Sequence, residues 1–172
     1  MSGYNKQLKI ILDSNVIINA KEGNRLDDIL YLNHEFFLAE STLEDELSRH
    51  AETIKKKILE KSLILVEETD EIREKYYYLS QKYGSGPSRC DRMALATAII
   101  NKFGHIATAD AQLRRASLEE GVIPLWILDL IGFLLEEGKM TKAEAQKFYD
   151  GVFPSRKKSF EKMIRQQLDV CA

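Results

Sequence analysis

The amino-acid sequence predicts an α/β fold built on a central parallel sheet, and three observations carry the prediction. Leu8 to Leu12 is a short apolar run, β-branched at its centre, that stops at the carboxylate of Asp13; this is the pattern of a strand buried on both faces. Comparable runs, Glu35 to Ala39, Ser62 to Val66, His105 to Thr108 and Val122 to Leu125, alternate with longer segments of helical spacing. At 172 residues and 44% hydrophobic content the chain suits one domain with a sizeable core, and no Pro/Gly/Ser-rich linker divides it.

In order along the chain, Ser14 or Asn15 is placed to cap a helix begun by Val16, Ile17 and Ile18, so a capping turn accounts locally for Asp-Ser-Asn. Asp13 nevertheless stands at a strand's carboxyl end, where loops diverge, helices begin with free N–H groups and ligands bind. Asn24 to Leu32 reads as a short helix through Leu26, Ile29 and Leu30. Ser41 to Leu47 reads as the start of a long helix, with Ser41 and Glu44 spaced as a capping box. That box explains Glu44 and leaves Glu46 without a structural role. Lys55, Lys56 and Lys57 read as a solvated face of the same helix, with contact to phosphates as the alternative.

Glu67 to Tyr83 is a charged helix whose Tyr76, Tyr77 and Tyr78 cannot share one face, since neighbours lie about 100° apart. One or two buried rings with the third exposed is the expectation. Gly84 to Ser88 is a loop, and Ser88 caps the helix Arg89 to Lys102, with Asp91 in its first turn and a body of small and apolar residues suited to close packing on a sheet. His105 to Thr108 then ends at Ala109-Asp110, repeating the arrangement at Asp13. Gln112 to Glu120 is helical and closed by Gly121, and Pro124 confines the last strand to a sheet edge. Val122 to Leu135 is the most apolar segment but too short for a bilayer crossing of ~20 residues, so Ile127 to Leu135 reads as a core helix and no membrane partner is expected.

Composition limits the partners. A net charge of -2 gives no global positive field, so a polyanion must be held by local basic groups or bound cations. Cys90 and Cys171 have neither metal-ligand spacing nor disulfide density, and the first residues lack a basic-then-apolar leader pattern; a reducing, cytoplasmic setting is expected. Neither GxGxxG nor GxxxxGK[ST] occurs, which argues against the usual nucleotide-binding turns. Asn15 stands where a phosphoaspartyl phosphatase of the haloacid dehalogenase type would need a second aspartate.

Asp13 and Asp110 end strands while Glu46 and Asp91 open helices, so a parallel sheet brings all four acids to one edge. Converging carboxylates repel, and a divalent cation resolves the repulsion. Oxygen-only ligation points to Mg²⁺ or Mn²⁺ rather than zinc, and His34, His50 and His105 have no ligand spacing.

The ordered set of Asp13-Ser14-Asn15 after a first strand, Thr42-Leu43-x-x-Glu46-Leu47 on an early helix, Asp91 ahead of an alanine-rich helix, and Thr108-Ala109-Asp110 before another resembles the PIN-domain nucleases. These include toxin subunits of bacterial and archaeal toxin–antitoxin pairs, and the likeness covers roughly Lys9 to Leu125. It implies a three-layer PIN-like fold, a central parallel sheet flanked by helices, with residues 1–126 as nuclease core and 127–172 as a helical C-terminal extension of the same domain. It further implies an Mg²⁺- or Mn²⁺-dependent endoribonuclease that hydrolyses phosphodiester bonds in RNA. Asp13, Glu46, Asp91 and Asp110 would be its catalytic acids, Asp13, Asp91 and Asp110 its metal holders, and Asn15 and Thr108 the supporting polar residues. Glu46 would ligate or orient water; Glu44 is the alternative second acid, since the register rests on the Glu-Leu pair. A non-catalytic PIN-like module that binds RNA or protein is the other reading. The expected partners are RNA, a small antitoxin protein if the chain is a toxin, and a second copy as a homodimer. Phe153 to Ala172 carries a local positive excess, and within it Lys157 and Lys158, together with Arg114 outside it, are candidate RNA contacts.

Overall fold

Five strands, β1 (Lys9–Leu12), β2 (Glu35–Ala39), β3 (Ile64–Val66), β4 (His105–Ala107) and β5 (Ile123–Leu125), all pair in parallel in the order β3-β2-β1-β4-β5. The structure, a computed structural model, describes residues 6–153. Lys157, Lys158 and the rest of the basic stretch beyond Phe153 lie outside the described residues. The helices are α1 (Ser14–Glu22), α2 (Leu26–Leu30), α3 (Ala51–Leu59), α4 (Asp70–Tyr83), α5 (Arg89–Ile100), α6 (Ala111–Glu119), α7 (Ile127–Glu136) and α8 (Lys142–Val152).

The alternation of side chains along each strand divides the interior in two. Ile10, Leu12, Phe36 and Leu38 pack with residues of α1, α2, α3, α7 and α8. Ile11, Phe37, Ala39 and Ile106 point the other way, into residues of α4, α5 and α6. Helices therefore cover both faces of the sheet, as continuous apolar strands require. The chain runs outward from β1 to β3 and then returns to β4 on the other side of β1. The order reverses between β1 and β4, and the crevice at the carboxyl ends of those strands is where open α/β sheets bind ligands.

Local chemistry sets the boundaries of these elements. Ser88 and Asp91 form a reciprocal capping box that starts α5, and Thr141 and Glu144 do the same for α8. Gly121, at φ 77°, lets the chain leave α6 while the Val122 N–H donates to the Ser117 carbonyl at 2.8 Å, closing the turn into β5. Pro124 lies opposite Ile106 on the edge strand, where its missing N–H costs no ladder bond. Ile127, Leu128, Leu130, Ile131 and Leu134 are buried, so α7 spends its apolar face on the core. Among the described residues no helix is long and apolar enough to cross a membrane.

Four local expectations fail. The long helix from Ser41 is broken into a π-helical turn (Thr42–Glu46), a 3-10 turn (Ser48–His50) and α3. Ser41 itself is buried in helical conformation (φ -58°, ψ -34°) and makes no capping bond, while Glu44 faces solvent; the capping box does not form because an N-cap needs an extended backbone. The tyrosines are more exposed than expected. Ile72, Leu79 and a half-buried Tyr76 occupy the inward face of α4, which turns Tyr77 and Tyr78 outward. Lys57 is not on a solvated face: it is buried, with Nζ paired to Asp27 at 2.7 Å and Glu60 at 3.0 Å.

Candidate active site

Asp13 is the first residue past β1, at the reversal in strand order, and only 3% of its surface is exposed. Its backbone holds the N-cap position of α1 (φ -77°, ψ 152°), yet its side chain accepts no capping hydrogen bond, and neither Ser14 nor Asn15 is the cap. The carboxylate instead accepts the Thr108 hydroxyl at 2.7 Å, supplemented by the Ser14 hydroxyl at 3.4 Å and the exposed Asn15 amide at 3.5 Å. The last two lie at the outer limit of hydrogen bonding and orient Asp13 weakly.

Thr108 joins the two strand-end aspartates. While its hydroxyl donates to Asp13, it accepts the Asp110 backbone N–H at 3.0 Å. Asp110 caps α6, accepting the Leu113 N–H at 2.7 Å through one carboxylate oxygen. Asp91, 8% exposed, likewise commits one oxygen, to the Ser88 N–H at 2.9 Å, as the returning half of the α5 capping box.

Glu46 enters from the π-helical turn. One of its oxygens, Oε2, is buried with no hydrogen-bond partner among the described residues. Burial raises the Asp13 carboxyl from its ordinary 3.8 to about 6, against the Thr108 hydrogen bond, and the charges of Asp91 and Glu46 push it the same way as burial. Asp13, Asp91 and Glu46 are therefore in electrostatic contact. Cys90 reports the same neighbourhood: burial, then Glu46 and Asp45, push its thiol up to about 12. Glu46 rather than Glu44 faces the other acids.

The donors here are carboxylate oxygens throughout, one of them buried and unsatisfied, a set that suits a hard divalent cation. Among the described residues no three acidic, histidine or cysteine side chains are spaced to hold one ion as they stand. Asp91 and Asp110 each give one oxygen to a helix cap, and no hydrogen bond to the other is seen among the described residues. Those oxygens, with Asp13 and Glu46 Oε2, are the groups that would turn toward a cation.

Two contacts beside the site escaped the sequence reading. Asp45 and Arg89 form an ion pair linking the π-helical turn to α5 beside Glu46 and Asp91, and the only signal for it was their adjacency to those acids. Trp126, the N-cap residue of α7, lies under Arg114 of α6 with the guanidinium carbon 5.8 Å from its ring centre. No protein-family model and no curated protein matches the chain.

Proposed function

We propose that the chain is a PIN-type, Mg²⁺- or Mn²⁺-dependent ribonuclease that hydrolyses phosphodiester bonds at the Asp13 site. The observation that carries this reading is Asp13 itself: buried at the sheet's reversal point, released from capping, and opposed by the charges of Asp91 and Glu46. An uncompensated acidic pocket offers a pure binding module nothing toward a polyanion, whereas a phosphodiesterase uses it to hold cations. Divalent cations bound there would supply an activated water and neutralise charge developing on the phosphate.

The chain's own residues do the positioning. Thr108 fixes one oxygen of Asp13 from the neighbouring strand, so the carboxylate cannot rotate away from the crevice. The capping bonds of Asp91 and Asp110 hold each carboxyl in one orientation, with no hydrogen bond to its second oxygen among the described residues. Glu46 contributes an oxygen without other obligations, suited to orienting the attacking water.

Cleavage of a mixed RNA pool by purified protein, with Mn²⁺ and again with EDTA, tests the reading. Wild type should cut only with the metal, and Asp13→Asn, which keeps the size but loses the charge, should lose roughly a hundredfold or more in rate while its melting curve stays cooperative. Full cleavage by a folded Asp13→Asn protein would remove the assignment to this site.

A further inference from the structure

The first turns of α6 carry a cation to which the described residues supply no anion. Arg114 stands one turn beyond Asp110, and residues four apart share a helix face. Its guanidinium rests over Trp126, which follows β5 at the same carboxyl edge of the sheet. Among the described residues the guanidinium has no ion pair or hydrogen bond, and its Nε is buried without a partner.

Nothing in the local architecture calls for such a charge. A cation near a helix N-terminus opposes the macrodipole, and a buried donor without an acceptor is costly. The indole face steadies a guanidinium and sets its plane but provides no counter-charge. Asp110, one turn back, caps the Leu113 N–H with one oxygen and, among the described residues, forms no ion pair with Arg114 through the other.

A phosphate supplies what is missing. The acid cluster repels a polyanion, and a chain of net charge -2 has no general attraction to offset that repulsion. A strand must be held by discrete cations beside the site, and the planar fork of arginine matches a phosphate's oxygens. Resting on the nuclease reading above, we propose that Arg114, steadied by Trp126, binds a backbone phosphate next to the one being cut and so sets which phosphodiester enters the acid cluster.

The test compares wild type, Arg114→Ala and Arg114→Lys on a labelled single-stranded RNA. Steady-state cleavage is measured with Mn²⁺, and binding is measured over a range of salt concentrations in the Asp13→Asn background. Arg114→Ala should raise KM roughly tenfold or more with kcat within a few-fold of wild type. Its slope of log affinity against log salt should fall by about 0.7, the share of one single-strand phosphate contact. Arg114→Lys should restore the slope and only part of the affinity. An unchanged KM and slope in Arg114→Ala, with wild type cutting normally, would overturn this inference alone and leave the cation to a partner protein's carboxylate or to the α6–α7 contact. A lowered melting temperature with KM and slope intact would do the same. Wild type that neither binds nor cuts the RNA would overturn the nuclease reading together with this one.

Discussion

An aspartate at a helix N-cap ordinarily aims its carboxylate at the free N–H groups of the first turn; Asp110 does this and Asp13 does not. Both are N-cap residues, but Asp13 is the first residue past β1 and Asp110 the third past β4, so Thr108 stands opposite Asp13 and draws its carboxylate across to the adjacent strand. That position has a measurable cost without a cation. Burial, then Asp91 and Glu46, raise Asp13 from 3.8 to about 6, so between those values the folded chain holds a proton that the unfolded chain does not. Stability rises as pH falls through about 6 and levels off below 3.8, while above 6 the folded state carries a constant penalty of roughly 3 kcal/mol. In EDTA, Asp13→Asn should therefore melt higher than wild type near neutral pH, and the gap should close as the pH is lowered. Thermal unfolding of both proteins over a pH series measures it. Taking the difference between them cancels other acids, such as Glu144, whose cap and ion pair hold it at about 2 and whose contribution is lost in strong acid. A gap that stays constant with pH would mean that Asp13 is not the group being relieved.

At the scale of elements, the π-helical turn decides which glutamate is turned inward. With Thr42–Glu46 wound by one extra residue per turn, Glu46 turns inward and Glu44 faces solvent. Glu46→Gln should slow RNA cleavage by about tenfold to a hundredfold, and Glu44→Ala should leave both rate and melting temperature near wild type; the reverse pattern would place the wrong residue in the site. This turn was also what the sequence concealed. Ser41 and Glu44 have the spacing of a capping box, but the burial of Ser41, Thr42 and Leu43 under neighbouring elements overrides that local preference. The central strands β1, β2 and β4 were legible because burial on both faces leaves nearly unbroken apolar runs, the edge position of β5 because proline is tolerated on the edge of a parallel sheet, and α5 because small residues at close spacing pack on a sheet. Asp13 and Asp110 were legible as strand-end acids. Their different commitments were not, since the hydroxyl that separates them belongs to Thr108, far from Asp13 in sequence and beside it only in the folded sheet.

Over the whole molecule, the chain's two halves are locked by α8, which packs against the turn that follows α1. Any side chain at Gly23 would collide with the buried Phe148 ring, and Arg25 pairs with Glu144 at 3.0 Å across the same contact. Gly23→Ala should therefore cost about 1–3 kcal/mol by forcing α8 outward, read as a lower denaturation midpoint; an unchanged midpoint would mean that α8 is only loosely attached. The same framework holds the acid cluster together without a cation, at the cost borne by Asp13. A cation that binds only the folded chain removes that cost and adds its own binding energy. The most direct measurement is the melting temperature of wild type and Asp13→Asn at neutral pH, each titrated with Mn²⁺ from an EDTA-treated start. Wild type should rise steadily with Mn²⁺ concentration, and Asp13→Asn should start higher and gain much less. A variant that starts lower and gains as much as wild type would show that Asp13 is structural and that no cation is held there.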